Sequence, residues 1–190
     1  MDALTHCIEA FFSTAPNPLI DLLALDGAAR IWRNLPRSVA DGRDVDAREQ
    51  VMLGALLGGL SMPKGLGLAH AFALSLEEPR LHHGTLVGLL LPLVLAWSGT
   101  ALVGKAAKLA EALGLSPSVD LPGALDRFNR EIGLPATFAE LRIPDAALAA
   151  AARGAVHTPY QSLAPRHAGV ATYLALLLDW AHQPPTVSQI

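Results

Sequence analysis

Apolar residues recur at helical spacing along most of the chain, and no stretch shows convincing strand alternation. The pattern predicts a helix over residues 3–12, closed by the turn-forming run Ser13-Thr14-Ala15-Pro16-Asn17-Pro18. A second is expected over 19–34, with Leu22, Leu23, Leu25, Ala29 and Ile31 as its apolar positions and Leu35-Pro36 as its stop. Asp41-Gly42-Arg43-Asp44 reads as a loop, and Asp44 is placed to cap a third helix over 46–61. Met62-Pro63-Lys64-Gly65 breaks the chain before a helix over 66–75. A charged loop over 77–83 follows, then helices over 85–97 and 101–113, the latter with Gly114 as its C′ glycine. Another covers 121–132 and ends at Gly133-Leu134-Pro135. Short helices at 137–141 and 145–153 and a last one over 166–182 complete an all-α, bundle-like domain. The domain is expected to span residues 1–183, with 184–190 as a flexible tail.

Composition sharpens this picture. The chain has 190 residues, of which 52% are apolar and only 16% charged. That is enough for one sizeable core, with apolar surface left for a partner to cover. Residues 84–104 carry no charge and meet the length rule for a membrane span. Pro92 and the turn at Ser98-Gly99-Thr100 favour a buried core helix instead, so no membrane partner is expected. A net charge of −3 without a Lys/Arg run argues against a nucleic-acid partner. The single cysteine, Cys7, cannot form an internal disulfide, and a reducing cytoplasm is the expected location. Met1-Asp2-Ala3 has no basic n-region, so no targeting role is expected of it.

Candidate chemistry resides in four side chains. Asp2 and His6 are four apart, so one helix presents both on the same side. His70 sits in Gly65-Leu66-Gly67-Leu68-Ala69-His70-Ala71, and His83 directly precedes Gly84. Three separate elements converging on one point is how metal sites inside helical folds are built. An oxygen and imidazole set without thiolate suits Fe²⁺, Zn²⁺, Mn²⁺, Co²⁺ or Ni²⁺. A ligand at position 2 would be odd at a fraying terminus, so either Asp2 is unimportant or a segment once preceded it. Cys7 is about 100° around the helix from His6 and should point elsewhere. Glu9, three residues after His6, is a candidate to orient the His6 ring, or else an exposed or capping acid. Two other readings stand beside this one. The histidines could merely pack or bind metal structurally in a non-catalytic interaction domain. A metal-dependent hydrolase would want an acidic general base, for which only Glu9 is available.

These same residues carry a resemblance. Asp2-Ala3-Leu4-Thr5-His6-Cys7-Ile8-Glu9-Ala10 followed by Asn17-Pro18 resembles the opening of the helical half of iron-containing (group III) alcohol dehydrogenases. Leu35-Pro36 with Ala40-Asp41-Gly42, Ala47-Arg48-Glu49, the glycine-rich run ending at His70, His83-Gly84 and Leu91-Pro92 fit the same stretch. Gly133-Leu134-Pro135-Ala136-Thr137 and Ala164-Pro165-Arg166 are supportive, and the likeness covers roughly residues 1–182. It implies a dehydroquinate synthase-like α-domain whose metal ligands fall on Asp2, His6, His70 and His83. His82 is a rival for the last, but the family's ligand directly precedes glycine.

The resemblance also implies a missing half. Relatives join this domain to a nucleotide-binding α/β domain with a Gly-Gly-Gly-Ser phosphate loop, and the active site is the cleft between them. No such loop occurs here, and Gly54–Gly59 falls in a helix pattern with no preceding strand, so it reads as helix packing. Leu74 stands where relatives often place a further histidine, and the stretch from His70 to His83 is one residue shorter than is common. The implied activity is NAD(P)-dependent oxidation of a small alcohol or reduction of an aldehyde, with Fe²⁺ or Zn²⁺ as the metal and NAD(P) held by the missing domain. The chain alone is expected to be inactive and to meet either a nucleotide-binding partner domain or a second copy of itself. Lys64 is expected to be solvated, or to approach a cofactor phosphate if that domain docks. His157 and His167 are expected at the surface.

Overall fold

The first helix, α1 (Asp2–Phe12), is enclosed on nearly every side: Leu4, Cys7, Ile8, Ala10, Phe11 and Phe12 are all buried. A helix that is apolar all round belongs at the centre of a core. In this computed structural model, which describes residues 1–76, 81–102, 104–135 and 138–182, nine more helices follow. They are α2 (Pro18–Ala40), α3 (Val45–Ser61), α4 (Leu68–Ser75), α5 (His83–Ser98) and α6 (Lys105–Leu113). Then come α7 (Leu121–Glu131), α8 (Asp145–Ala155), α9 (Pro159–Leu163) and α10 (Val170–Ala181). No strand occurs among the described residues. The hairpin of α2 and α3 packs along α1, and α4, α5, α8 and α10 build the other side of the core.

Glycines let α1 sit close to that hairpin. A Cβ on Gly27 would lie 2.8 Å from Cys7 Sγ, and one on Gly54 would lie 2.6 Å from Ile31 Cγ1. A Cβ on Gly58 would come within 2.8 Å of the Ala3 carbonyl. Within the Gly54–Gly59 segment, Gly54 and Gly58 therefore serve helix packing, as the sequence context indicates. Two lysines close the other end of α1. Lys64 donates from Nζ to the Ala10 carbonyl at 2.8 Å and the Phe11 carbonyl at 3.2 Å, and pairs with Asp21. Lys105 Nζ reaches the Phe11 carbonyl at 2.8 Å and the Ser13 carbonyl at 3.2 Å. The last carbonyls of a helix have no partner within it, and ammonium groups satisfy both them and the negative end of the dipole. Lys64 is thus buried rather than solvated or turned toward a phosphate.

Several boundaries differ from the sequence pattern. Helix α2 runs through Pro36 to Ala40 rather than stopping at Leu35. Proline forfeits one backbone hydrogen bond there, and Arg37, paired with Asp44 at 2.8 Å, lies on the continuing turn. Helix α4 starts at Leu68, not at residue 66, because Gly65 takes φ 104° and turns the chain before it. Residues 101–113 split at Gly104, which has φ 87°, into a 3₁₀ turn (Gly99–Leu102) and α6. The final helix begins at Val170 because Arg166 is drawn to the Trp97 carbonyl and stacks on that indole at 4.2 Å. Between the expected helices at 145–153 and 166–182 lies a further short helix, α9. Elsewhere the pattern holds: Asp44 accepts from the Ala47 N–H at 2.9 Å, and Gly114 takes a left-handed C-cap. The charged loop at 77–80, Ala136, Thr137 and the expected tail at 184–190 lie outside the described residues.

Among the described residues, His83–Leu102 is long and apolar enough to cross a membrane. In this fold 61% of that stretch is buried against the other helices, as a core helix would be.

Two glycines in α3 separate packing from propensity. Gly54→Ala should destabilise by about 1–3 kcal/mol, since its new methyl meets Ile31 and the Gly27 carbonyl. Gly59→Ala meets nothing within 4 Å and should instead stabilise by up to ~1 kcal/mol through helix propensity. Urea midpoints of the two variants measure the contrast.

Candidate metal centre

The N-terminal turn of α1 lies against the first turns of α5, and glycine again permits the approach. A Cβ on Gly88 would sit 3.1 Å from Met1 Cβ, and one on Gly84 would sit 3.6 Å from Asp2 Cβ. Helix α4 enters from a third direction and delivers His70.

Asp2 Oδ1 is the hub. His70 Nε2 lies 3.3 Å from it, His83 Nε2 3.5 Å and His6 Nε2 3.6 Å. All three separations are longer than a well-formed N–H···O hydrogen bond of about 2.7–3.2 Å. Donor atoms held ~2.0–2.2 Å from one ion at tetrahedral angles lie about 3.3–3.6 Å apart, the range of these three contacts to Asp2, and the mutually close donors are Asp2, His6 and His70 without His83. Ligand atoms of Asp2, His6 and His70 all fall within 4.8 Å of one another. The rings of His6 and His70 stack at 4.7 Å and 16°, and His83 is tilted 53° to His70 at 5.6 Å. An oxygen and nitrogen donor set of this kind fits a borderline divalent cation. His82, the rival candidate, is exposed at the N-cap of α5.

The site is closed beneath and open above. The side chains of His70 and Glu9 are each 3% exposed, whereas Asp2 is 42% and His83 39% exposed. Burial, together with the neighbouring His70, holds the His6 pKa below its ordinary value, so this ring stays neutral and available to a cation. Burial also opposes charge on His70, but the Glu9 hydrogen bond and the Glu9 and Asp2 charges outweigh it and raise its pKa. Cys7 takes no part: burial pushes its thiol up to about 12, and it turns toward the Gly54 carbonyl.

Two features were not legible in the sequence. Glu9 does not orient His6. Its carboxylate accepts from His70 Nδ1 at 2.7 Å, because the first turn of α4 is aimed at it. Tyr160, on α9, sits edge-on to the His70 ring at 6.5 Å. The glycine-rich approach to His70 was the only local signal of the first, and nothing local signalled the second. Leu74 is exposed on α4, and His157 and His167 are exposed as expected. His182 pairs with Asp145 at 3.0 Å.

Comparison with known proteins assigns the class. The family model described as Fe-containing alcohol dehydrogenase family, C-terminal, matches residues 1–180. The chain therefore belongs to the iron-containing alcohol dehydrogenase family, as its C-terminal, all-helical domain. It is 32% identical over 187 residues to 4-hydroxybutyrate dehydrogenase of Cupriavidus necator, covering 93% of this chain and 49% of that one. Similarity to the NAD-dependent methanol dehydrogenase of Bacillus methanolicus is 32% over 155 residues, covering 76% and 41%. The crystal structure of a 1,3-propanediol oxidoreductase superposes with a TM-score of 0.87 at 30% identity, covering 94% of this chain and 50% of that one. The chain thus spans about half the length of the relatives it matches.

Proposed function

We propose that this chain is the metal-binding half of an NAD(P)-dependent alcohol dehydrogenase or aldehyde reductase. Asp2, His6, His70 and His83 hold one divalent cation, Fe²⁺ by family and Zn²⁺ by equal donor chemistry. The observation that carries this reading is the approach of three imidazole nitrogens to one carboxylate oxygen, at 3.3, 3.5 and 3.6 Å. Such a cation supplies Lewis acidity toward an alcohol or carbonyl oxygen. Asp2 and His83 flank the open side, where a small alcohol or aldehyde would enter. His6 and His70 form the closed floor and shield it from bulk water.

Hydride transfer needs a nicotinamide held against the substrate carbon. That task falls to an α/β nucleotide-binding domain corresponding to the other half of the relatives, so this polypeptide by itself is inactive. The outward side of α3 supports a partner surface: Val45, Met52, Leu53, Leu56 and Leu60 are all exposed. Exposed apolar stripes of this kind mark surfaces that associate. A reducing cytoplasm suits the free, buried Cys7.

Metal analysis should find one divalent ion per wild-type chain and none in His6→Ala or His70→Ala. Unchanged content in both variants, or no metal in the wild type, would refute the shared site. Metal affinity should fall as pH drops through the imidazole range, because a protonated histidine cannot ligate; a competition titration across that range reads it. In light scattering after size exclusion the isolated chain should run larger than its monomer mass. A clean monomer that binds little apolar dye would count against the partner surface.

A further inference from the structure

Glu9 is outside the proposed ligand set, yet its buried carboxylate meets four donors on one element. Oε1 accepts from the Ala69 N–H at 2.7 Å. Oε2 accepts from the Gly67 N–H at 3.0 Å and the His70 N–H at 3.4 Å, and meets His70 Nδ1 at 2.7 Å. Helix α4 has no cap from its own N-cap residue, Gly67. The carboxylate from α1 does that work, where backbone N–H groups and the positive end of the dipole both favour an anion. Space is shaped for it as well: a Cβ on Gly67 would fall 2.7 Å from Glu9 Oε1.

We propose that Glu9 is a positioning residue for the metal centre, selecting the His70 tautomer that carries its proton on Nδ1. This rests on the metal-centre reading above. A carboxylate can only accept, so the neutral imidazole must donate from the nitrogen that faces it. The other nitrogen, Nε2, then keeps its lone pair and faces Asp2 Oδ1 at 3.3 Å. Nδ1 has the shorter and stronger contact, which decides between the two tautomers. The same four contacts fix the ring's rotation and the height of α4 along α1. One buried group thereby sets the direction, protonation and position of one ligand, a role carboxylates take behind metal-bound histidines in general.

Glu9→Gln tests this with little change of shape. An amide replaces one carboxylate oxygen by NH₂, so it cannot accept at both positions: the Ala69 N–H keeps its acceptor only if the NH₂ takes the Oε2 place, which faces the Gly67 N–H and the ring. With its NH₂ toward His70, it demands the tautomer protonated on Nε2. Zn²⁺ affinity, measured by competition titration, should fall about 10–100-fold, with helical circular dichroism retained. Nitrogen-15 spectra of the metal-free wild type, above the imidazole range, should show His70 protonated on Nδ1. A purely structural Glu9 would lower the unfolding midpoint of Glu9→Gln but leave the Zn²⁺ affinity of the folded variant unchanged. That result, or an Nε2-protonated His70 in the wild type, overturns the inference. If the variant fails to fold, the wild-type spectrum still decides. Failure of the wild type to bind Zn²⁺ would instead sink the metal-centre reading itself.

Discussion

A single buried carboxylate joins the two helices on which the candidate site depends. Glu9 belongs to α1, but among the described residues the hydrogen-bond partners of its side chain lie on α4 or the turn leading into it. Removing an anion from water is costly unless donors replace the lost hydration. Here three backbone N–H groups and one imidazole do so, and the first turn of α4 gains the cap it otherwise lacks. The energetic requirement of one side chain therefore fixes a distance between elements almost sixty residues apart. His70 rides on that fixed distance.

The rest of α1 is held with similar definition. Glycines on α2, α3 and α5 let it approach backbone to backbone, where any side chain would push it away. Lys64 and Lys105 occupy the carbonyls at its far end. Close packing of this sort resists small shifts, because interiors leave little free volume. The N-terminal turn of the helix, with Asp2 and His6, packs against α5 beside His83. Rigid support of the donor side chains is what a metal centre requires of its scaffold.

This helical domain accounts for about half of its relatives' length, and its surface is consistent with that. The donor set is shielded below and exposed through Asp2 and His83 above. Along α3 an apolar stripe faces outward, although an exposed helix face in a free-standing domain is normally polar. Both features are what the proposed partner domain would cover.

Much of this was readable from the sequence. The 3.6-residue period gave the all-α class, Asp44 and Gly114 marked their helix ends, and the spacing of Asp2 and His6 placed two donors on one face. These are local matters, decided within a turn or two of the chain. Tertiary structure alone decided the rest. Helix α2 passes through Pro36 to Ala40, where a proline alone reads as a stop. Lys64 is buried because the carbonyl ends of another helix need donors, and Glu9 turns to His70 rather than His6 because α4 arrives with its N–H groups unpaired. Periodicity records which side of a helix is apolar. It carries no information about which distant backbone ends will need a charge, and that demand assigned these side chains their partners.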